Sequence, residues 1–388
     1  MTRFPCFRLQ AFNICSPQGR MGNSPSALPL FHRSARRAKM GLAVLCLSLL
    51  ATAACKGGPI DEDAYKVEPA IVRGNLAIFP VIASRTHDTS QLMTLDEGIR
   101  SGQVTVTEAG EERGLVRPGQ PIPPRQGGAE VNRLVLYNNS NHPLLLLAGE
   151  IVTGGKQDRV IGADRIVPPS SGPIDLGVFC VEPGRWVASS SKFGSMGTQM
   201  AQPSVRTPAM AERDQSRVWE NVRASNANVA KSLGGADAAS VAGVTSYAKV
   251  FASAPVEKIV GSYGGEESEQ AILRQLRARG AVGVVVAVNG RVLWADLFAS
   301  AELLSKYWPK LMRSYVAEAV TSGRSGGSAD LKEAELYLNN LRGGREVVET
   351  EPDVYRRCDI TGDGYRVFEL ISLLPKTGFN VHITKIRQ

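Results

Sequence analysis

Three short polar blocks concentrate the side chains that could do chemistry. They are Ala148-Gly149-Glu150, Gly154-Gly155-Lys156-Gln157-Asp158-Arg159 and Cys180-Val181-Glu182-Pro183-Gly184-Arg185-Trp186. An Arg side chain is a planar fork that grips a phosphate or carboxylate through two parallel hydrogen bonds. Two carboxyl groups in unlike surroundings, here Glu150 and Glu182, can divide acid and base roles. Gln157 adds an amide, and the Trp186 indole offers a flat apolar face for a ring. The candidate ligand site therefore comprises Glu150, Gln157, Asp158, Arg159, Glu182, Arg185 and Trp186, with no catalytic residue assigned. The competing reading is structural: the guanidinium and carboxyl groups pair with one another to hold loops, and Trp186 sits in the core. Convergence on one open cleft would favour a ligand or an enzyme. Mutual pairing would favour structure.

These blocks resemble the ARG-and-rhodanese-phosphatase-associated protein domain family (ARPP-type), a family of unknown function. Its hallmarks stand here as Pro143–Arg159 and Cys180–Trp186, and a later hairpin hallmark as Ala281–Phe298. The three blocks agree in order, and the resemblance spans most of residues 70–388. It implies a shared fold and no particular reaction. The family's name implies the company of ADP-ribose and phosphate metabolism, which suggests a phosphorylated or ADP-ribose-like ligand.

Other motifs carry less. Gly261-Ser262-Tyr263-Gly264-Gly265 precedes a helix, and such an end can hold phosphate. The following Glu266-Glu267-Ser268-Glu269 would repel an anion there. Ser189-Ser190-Ser191-Lys192 with Lys376-Thr377-Gly378 mimics serine β-lactamase signatures. Phe193-Gly194-Ser195-Met196-Gly197 makes a poor continuation for the buried helix that chemistry needs. Asp359-Ile360-Thr361-Gly362-Asp363-Gly364 begins like a calcium loop, but the twelfth position is Leu370, so a hairpin turn is expected.

The 388 residues carry a formal charge of +8, which invites a nucleic-acid reading. The first 54 residues hold seven of the basic side chains and no Asp or Glu, leaving 38 basic against 37 acidic residues from Cys55 onward. That near-neutral remainder lacks the basic footprint of a phosphate-backbone binder. Basic residues from His32 to Lys39 precede an uncharged apolar run, Gly41 to Ala54, which is short for a membrane span and suits a signal-peptide core. Thr52-Ala53-Ala54-Cys55 resembles a lipoprotein cleavage site, although Thr52 replaces the usual Leu. The expectation is a signal segment over 1–54, lipid on Cys55, a tether over 55–70 and one domain over 71–388. The protein would then stand outside the cytoplasmic membrane, in the cell envelope. Cys180 and Cys358 remain for the folded part, where a disulfide or two separate buried thiols both fit. His87, His142 and His382 show no metal-ligand spacing, and neither metal nor cofactor is implied.

The elements that must position these groups are mixed. Strands are expected at 76–83, 103–108, 132–137, 144–152 and 174–182, from apolar or alternating runs between turn residues. Residues 188–206 read as an exposed loop or crossover. Thr207-Pro208 offers a helix start, with Val218, Val222 and Val229 on one face. A second helix covers 266–279 and stops at Gly280. Asn289-Gly290 between two apolar runs predicts a type I′ hairpin. Leu304, Tyr307, Leu311, Tyr315 and Ala319 form a helical stripe that Pro309 would split or kink. A short helix at 329–341 and strands at 354–359, 365–370 and 379–386 close the chain. The fold class is α+β: a β-rich N-terminal half, helices around a hairpin, and C-terminal strands completing the sheet. Two functions are carried forward. One is an envelope-anchored binding module that meets a protein partner or ligand. The other is a hydrolase-like enzyme acting on a phosphorylated molecule through the Arg and Glu blocks.

Overall fold

Short strands dominate the first part of the chain, because apolar runs there are cut every few residues by Gly, Pro, Asn or Ser. The computed structural model describes residues 65–109 and 132–388, apart from positions 186, 188, 264, 326, 340 and 376. Cys55, Trp186 and the signal segment lie outside the described residues. The chain runs through β1 (Tyr65–Val67), β2 (Ile71–Arg73), β3 (Leu76–Ala83), β4 (Met93–Thr94) and α1 (Leu95–Arg100). It continues through β5 (Val104–Glu108), β6 (Arg133–Asn138), β7 (Leu144–Leu146), β8 (Glu150–Thr153), β9 (Arg159–Ile161), β10 (Arg165–Val167), β11 (Ser171–Cys180) and β12 (Lys192–Met200). Strand pairing thus begins inside the stretch assigned to the tether.

Helices follow: α2 (Pro203–Thr207), a π-helical turn (Pro208–Glu212), α3 (Gln215–Leu233), α4 (Gly235–Val241), α5 (Tyr247–Phe251), α6 (Ala254–Ser262) and α7 (Gly265–Ala278). The remainder is β13 (Ala281–Val288), β14 (Arg291–Phe298), α8 (Ala301–Thr321), α9 (Leu331–Asn339), β15 (Arg345–Glu351), β16 (Tyr355–Gly362), β17 (Tyr365–Ser372) and β18 (Asn380–Arg387).

The order β11-β6-β5-β12-β8-β9 closes into a barrel. A nine-stranded sheet runs β1-β3-β13-β14-β18-β17-β16-β15, with β2 beside β3. Strands β10-β7-β4 form a small third sheet. The N-terminal, hairpin and C-terminal strands therefore share one sheet, in an α+β arrangement. The barrel is filled by Val106, Leu136, Val152, Leu176, Phe193 and their neighbours. One face of the large sheet packs on the helices, and its other face packs under α9. Among the described residues no helix is long and apolar enough to cross a membrane.

Local expectations meet the structure unevenly. Asn289 and Gly290 both have positive φ, 53° and 79°, as a type I′ turn requires. The α8 stripe is buried throughout, and each such large side chain contributes about 1.5–3 kcal/mol. Pro309 sits inside α8 without splitting it. The lost backbone bond is outweighed by the packing of Trp308, Lys310 and Leu311, all buried around it. The helix start expected at Thr207-Pro208 is displaced. Those residues end α2 and open the π-helical turn. Asp214 instead caps α3, accepting from the Ser216 and Arg217 N–H groups. The strand expected at 144–152 breaks into β7 and β8 at Gly149, whose φ is +96°. The stretch 188–206 is not an open loop, because β12 closes the barrel between β5 and β8. Gly154 and Gly155 on the neighbouring segment let it pack there, since they approach Ser190 and Phe193 too closely for any Cβ.

Candidate functional site

The first hallmark block forms a corner where barrel, large sheet and α8 meet. Glu150 accepts from the Leu147 N–H at 2.7 Å and from Lys310 Nζ at 2.6 Å. Lys310 also pairs with Asp96 at the start of α1, and Ser195 of β12 donates to the same carboxylate. All of this is buried: the Lys310 and Glu150 side chains are 3% and 1% exposed. Burial pushes the Glu150 carboxyl above its usual range even against Lys310. Burial would lower Lys310, but Glu150 and Asp96 outweigh it and hold the ammonium protonated.

The two residues before Glu150 serve a second network. The Ala148 N–H donates to Asp164 Oδ1 at 2.7 Å, and Asp164 Oδ2 lies 2.6 Å from His382 Nδ1. The other His382 nitrogen is 3.3 Å from Asp296 Oδ1. Asp296 also accepts from Arg206, Trp294 Nε1, Tyr315 and Thr384. Gly149 is required because a Cβ there would stand 2.6 Å from Arg206 Nε. Burial alone would neutralise Asp296, but Arg206 and His382 hold it far below the carboxylate range. Burial alone would lower His382, but Asp164 and Asp296 raise it to about 9.

The second and third blocks fold onto each other at the barrel's end. Arg185 Nε donates to Glu182 Oε2 at 2.7 Å, and its Nη atoms reach the Gly155 and Val187 carbonyls and Asp158. Asp158 further accepts from the Gly154 N–H and Ser246 Oγ. Glu182 takes the Asp158 N–H and Lys249. Gln157 donates to the Glu182 carbonyl at 3.1 Å. Burial works to raise Glu182, and the hydrogen bonds from Arg185, Asp158 and Lys249 outweigh it, leaving the carboxyl lowered. Burial, then the nearby Glu182 charge, raise Asp158. Arg159 is fully buried in β9, and burial lowers its guanidinium's pKa. Cys180 is a free, buried thiol, so no Cys180–Cys358 bridge exists. The first ends β11 of the barrel and the second lies on β16 of the large sheet.

The predicted residues thus divide into two places, and neither is an open cleft. Asp158, Glu182 and Arg185 pair with one another and with backbone, while Glu150 belongs to the Lys310 network. Sequence reasoning missed Lys310, Asp96, Asp164, Arg206, Asp296 and His382. One clue was available: Asp296 is a lone charge inside an apolar strand, where it must be paired. Among the other motifs, Ser190 Oγ donates to the Lys192 carbonyl, and Asp359–Gly364 is the β16–β17 turn. Among the described residues no group of three His, Cys, Asp or Glu side chains is arranged to hold a metal.

A cleft does exist, on the seam between the barrel and the β15–β16 end of the large sheet. Its larger lobe, ≈ 320 Å³, has Leu146, Ile161, Leu176, Phe179 and Ala209 as apolar floor. Arg165, Arg213, Glu349, Tyr355 and Arg357 form the polar rim. A smaller lobe, ≈ 70 Å³, shares Gly162, Ala163, Arg213, Glu349 and Arg357 and adds Asp164, Met210, Val347, Asp359, Phe368 and Glu369. Asp164 therefore joins this wall to the buried network behind it. The Arg357 Nη1 bond to the Asp164 carbonyl, 3.2 Å, ties sheet to barrel across the seam.

The family model described as "ARG and Rhodanese-Phosphatase-superfamily-associated Protein domain" matches residues 64–382. No curated protein and no solved structure matches the chain.

Proposed function

The chain belongs to the ARG and Rhodanese-Phosphatase-superfamily-associated Protein domain family, and we propose that it is a binding module, anchored in the cell envelope through lipid on Cys55, with the seam cleft as its ligand site. The observation that carries the reading is the cleft of ≈ 320 Å³ with an apolar floor and a polar rim, the usual composition of small-molecule sites. The hydrolase-like alternative needs an acid and a base from the hallmark blocks. There, Glu150, Asp158 and Glu182 are each already held by a cation and by backbone N–H groups. Anchoring rests on the basic segment, apolar run and Cys55 of the sequence.

The test is thermal unfolding of the full chain in detergent against NAD, ADP-ribose, nucleotides, sugar phosphates, cell-wall fragments and neutral amphiphiles. A ligand at 100 times its Kd adds about 2.7 kcal/mol, a shift of several degrees. The control is Gly177→Leu. Gly177 lines the cleft, and a Cβ there meets nothing within 4 Å, so a leucine is expected to be accepted and to obstruct the lobe. Shifts that vanish in Gly177→Leu support the cleft. Shifts that survive it, or none across the panel, refute it. For the anchor, Cys55→Ser is expected to release the protein from the membrane fraction, and retention there would refute lipidation.

A further inference from the structure

We propose that the cleft binds a small organic anion, with its apolar body on the floor and its carboxylate or phosphate head between Arg213 and Arg165. The inference rests on the cleft being the ligand site. The charges lining it do not cancel. Arg357 is paired with Glu349, Asp164 with His382, and Asp359 with Arg366. Glu369 also lines the smaller lobe, and its nearest cation is Arg342, 3.6 Å from its carboxylate. Glu351, beyond the lining, stands near Tyr355 and is felt there. Two lining guanidinium groups remain without a carboxylate. Arg165 donates only to the Asp175 carbonyl, 2.6 Å, because the Asp175 carboxylate is taken by Arg133. Arg213 is exposed and has no side-chain hydrogen bond or ion pair among the described residues.

The backbone at Arg213 sets where its side chain is presented. It closes the π-helical turn in a left-handed conformation, φ 54° and ψ 39°. A long side chain is uncommon there, where Gly or Asn would sit with less strain. The Arg213 N–H bonds to the Pro208 carbonyl and so closes the turn, while its side chain lines the cleft. The ≈ 320 Å³ lobe lies at the low end of the range of small-molecule sites, about 300–1,000 Å³. That fits a short acyl chain or a single ring better than a dinucleotide.

Calorimetric titration of the full chain uses octanoate, octyl phosphate, octan-1-ol and inorganic phosphate. One or both octyl anions should bind at least tenfold more tightly than octan-1-ol or inorganic phosphate, and the stronger of the two identifies the head group. Arg213→Ala and Arg165→Ala should each weaken that anion at least tenfold and leave octan-1-ol unchanged. Arg213 is exposed, so its variant is expected to fold. Added salt should weaken the anions alone. Octan-1-ol binding as tightly as the anions, or anion affinity unmoved in both Arg variants, overturns the anion inference. The cleft reading survives that result if Gly177→Leu abolishes the binding. Binding that persists in Gly177→Leu, or no binding of any probe, overturns the cleft reading and the inference together.

Discussion

Replacing Lys310 by Met keeps the length of the side chain and removes its charge, leaving Glu150 and Asp96 facing each other in a buried site. In the native protein one ammonium serves both carboxylates, with the Lys310 and Glu150 side chains 3% and 1% exposed. Breaking a buried ion pair from one side costs about 3–5 kcal/mol, a large part of the roughly 5–15 kcal/mol that holds a typical domain. Urea unfolding at pH 8 should show a lower midpoint with an unchanged slope. The pH response has a definite sign. Burial already raises the folded Glu150 carboxyl above its unfolded value, and losing Lys310 raises it further. Such an acid binds protons more readily folded than unfolded, so stability falls as pH rises. The variant's deficit should therefore shrink between pH 8 and pH 5. Adding Glu150→Gln should recover part of the loss at pH 8, since the stranded charge is gone. A cost below about 1 kcal/mol, or a deficit equal at both pH values, would show that these charges are solvated and would refute the reasoning.

Three further outcomes follow from the same geometry. His382 is raised from 6.5 to about 9 in the folded state, so its contribution is complete below pH 6.5 and lost as pH rises through 9. That amounts to roughly 3 kcal/mol. The wild-type urea midpoint should fall more from pH 6.5 to 9 than that of His382→Gln. Lys385, lowered to about 8, acts in the opposite sense above that pH in both proteins and cancels in the comparison; equal slopes would contradict the assignment. Gly149→Ala should destabilise by about 2–5 kcal/mol, from left-handed strain and forced contact with Arg206, read as a fall in Tm or loss of soluble protein. Cys180 should resist iodoacetamide until urea is added, because it is buried and burial raises its thiol. Labelling of the native Cys180 peptide would contradict that.

Elements whose information is local could be read from the chain. Asn289-Gly290 specifies its turn through two positive φ values, and the α8 stripe specifies its buried face through helical spacing. The barrel could not be read. It closes through β12, a Gly-, Ser- and Met-rich strand without the β-branched run that marks a strand in sequence, whose Phe193 packs against Gly155 of the neighbouring segment. The break at Gly149 was hidden because Leu144–Val152 is apolar on both sides of it. The hallmark blocks stand out in the sequence, but the partners of their buried charges lie far away: Lys310 is 160 residues from Glu150, and His382 is 218 from Asp164. No spacing rule connects such residues. The cleft was illegible for the same reason, since its rim draws Arg165, Arg213 and Arg357 from three separate segments.

The placement of the buried charges explains why an α+β chain with ample apolar core also carries two costly ionic networks. Burying ion pairs adds little net stability compared with apolar side chains of the same volume, so stability alone does not account for them. Both networks lie on the seam where the barrel meets the sheet and α8. Apolar surfaces there could slide by a residue with small loss, because hydrophobic contact is non-directional. Directional bonds cannot slide. Ala148 to Asp164, Asp164 to His382 and Glu150 to Lys310 admit one register, and Gly149 lets the chain turn tightly enough to make all three. The cleft is bounded on both sides by this seam, and Asp164 belongs to the cleft wall and to the network at once. Fixing the seam therefore fixes the spacing between Arg165 on β10 and Arg213 at the end of the π-helical turn. A site that reads a small ligand through two guanidinium groups requires that spacing to be set before the ligand arrives.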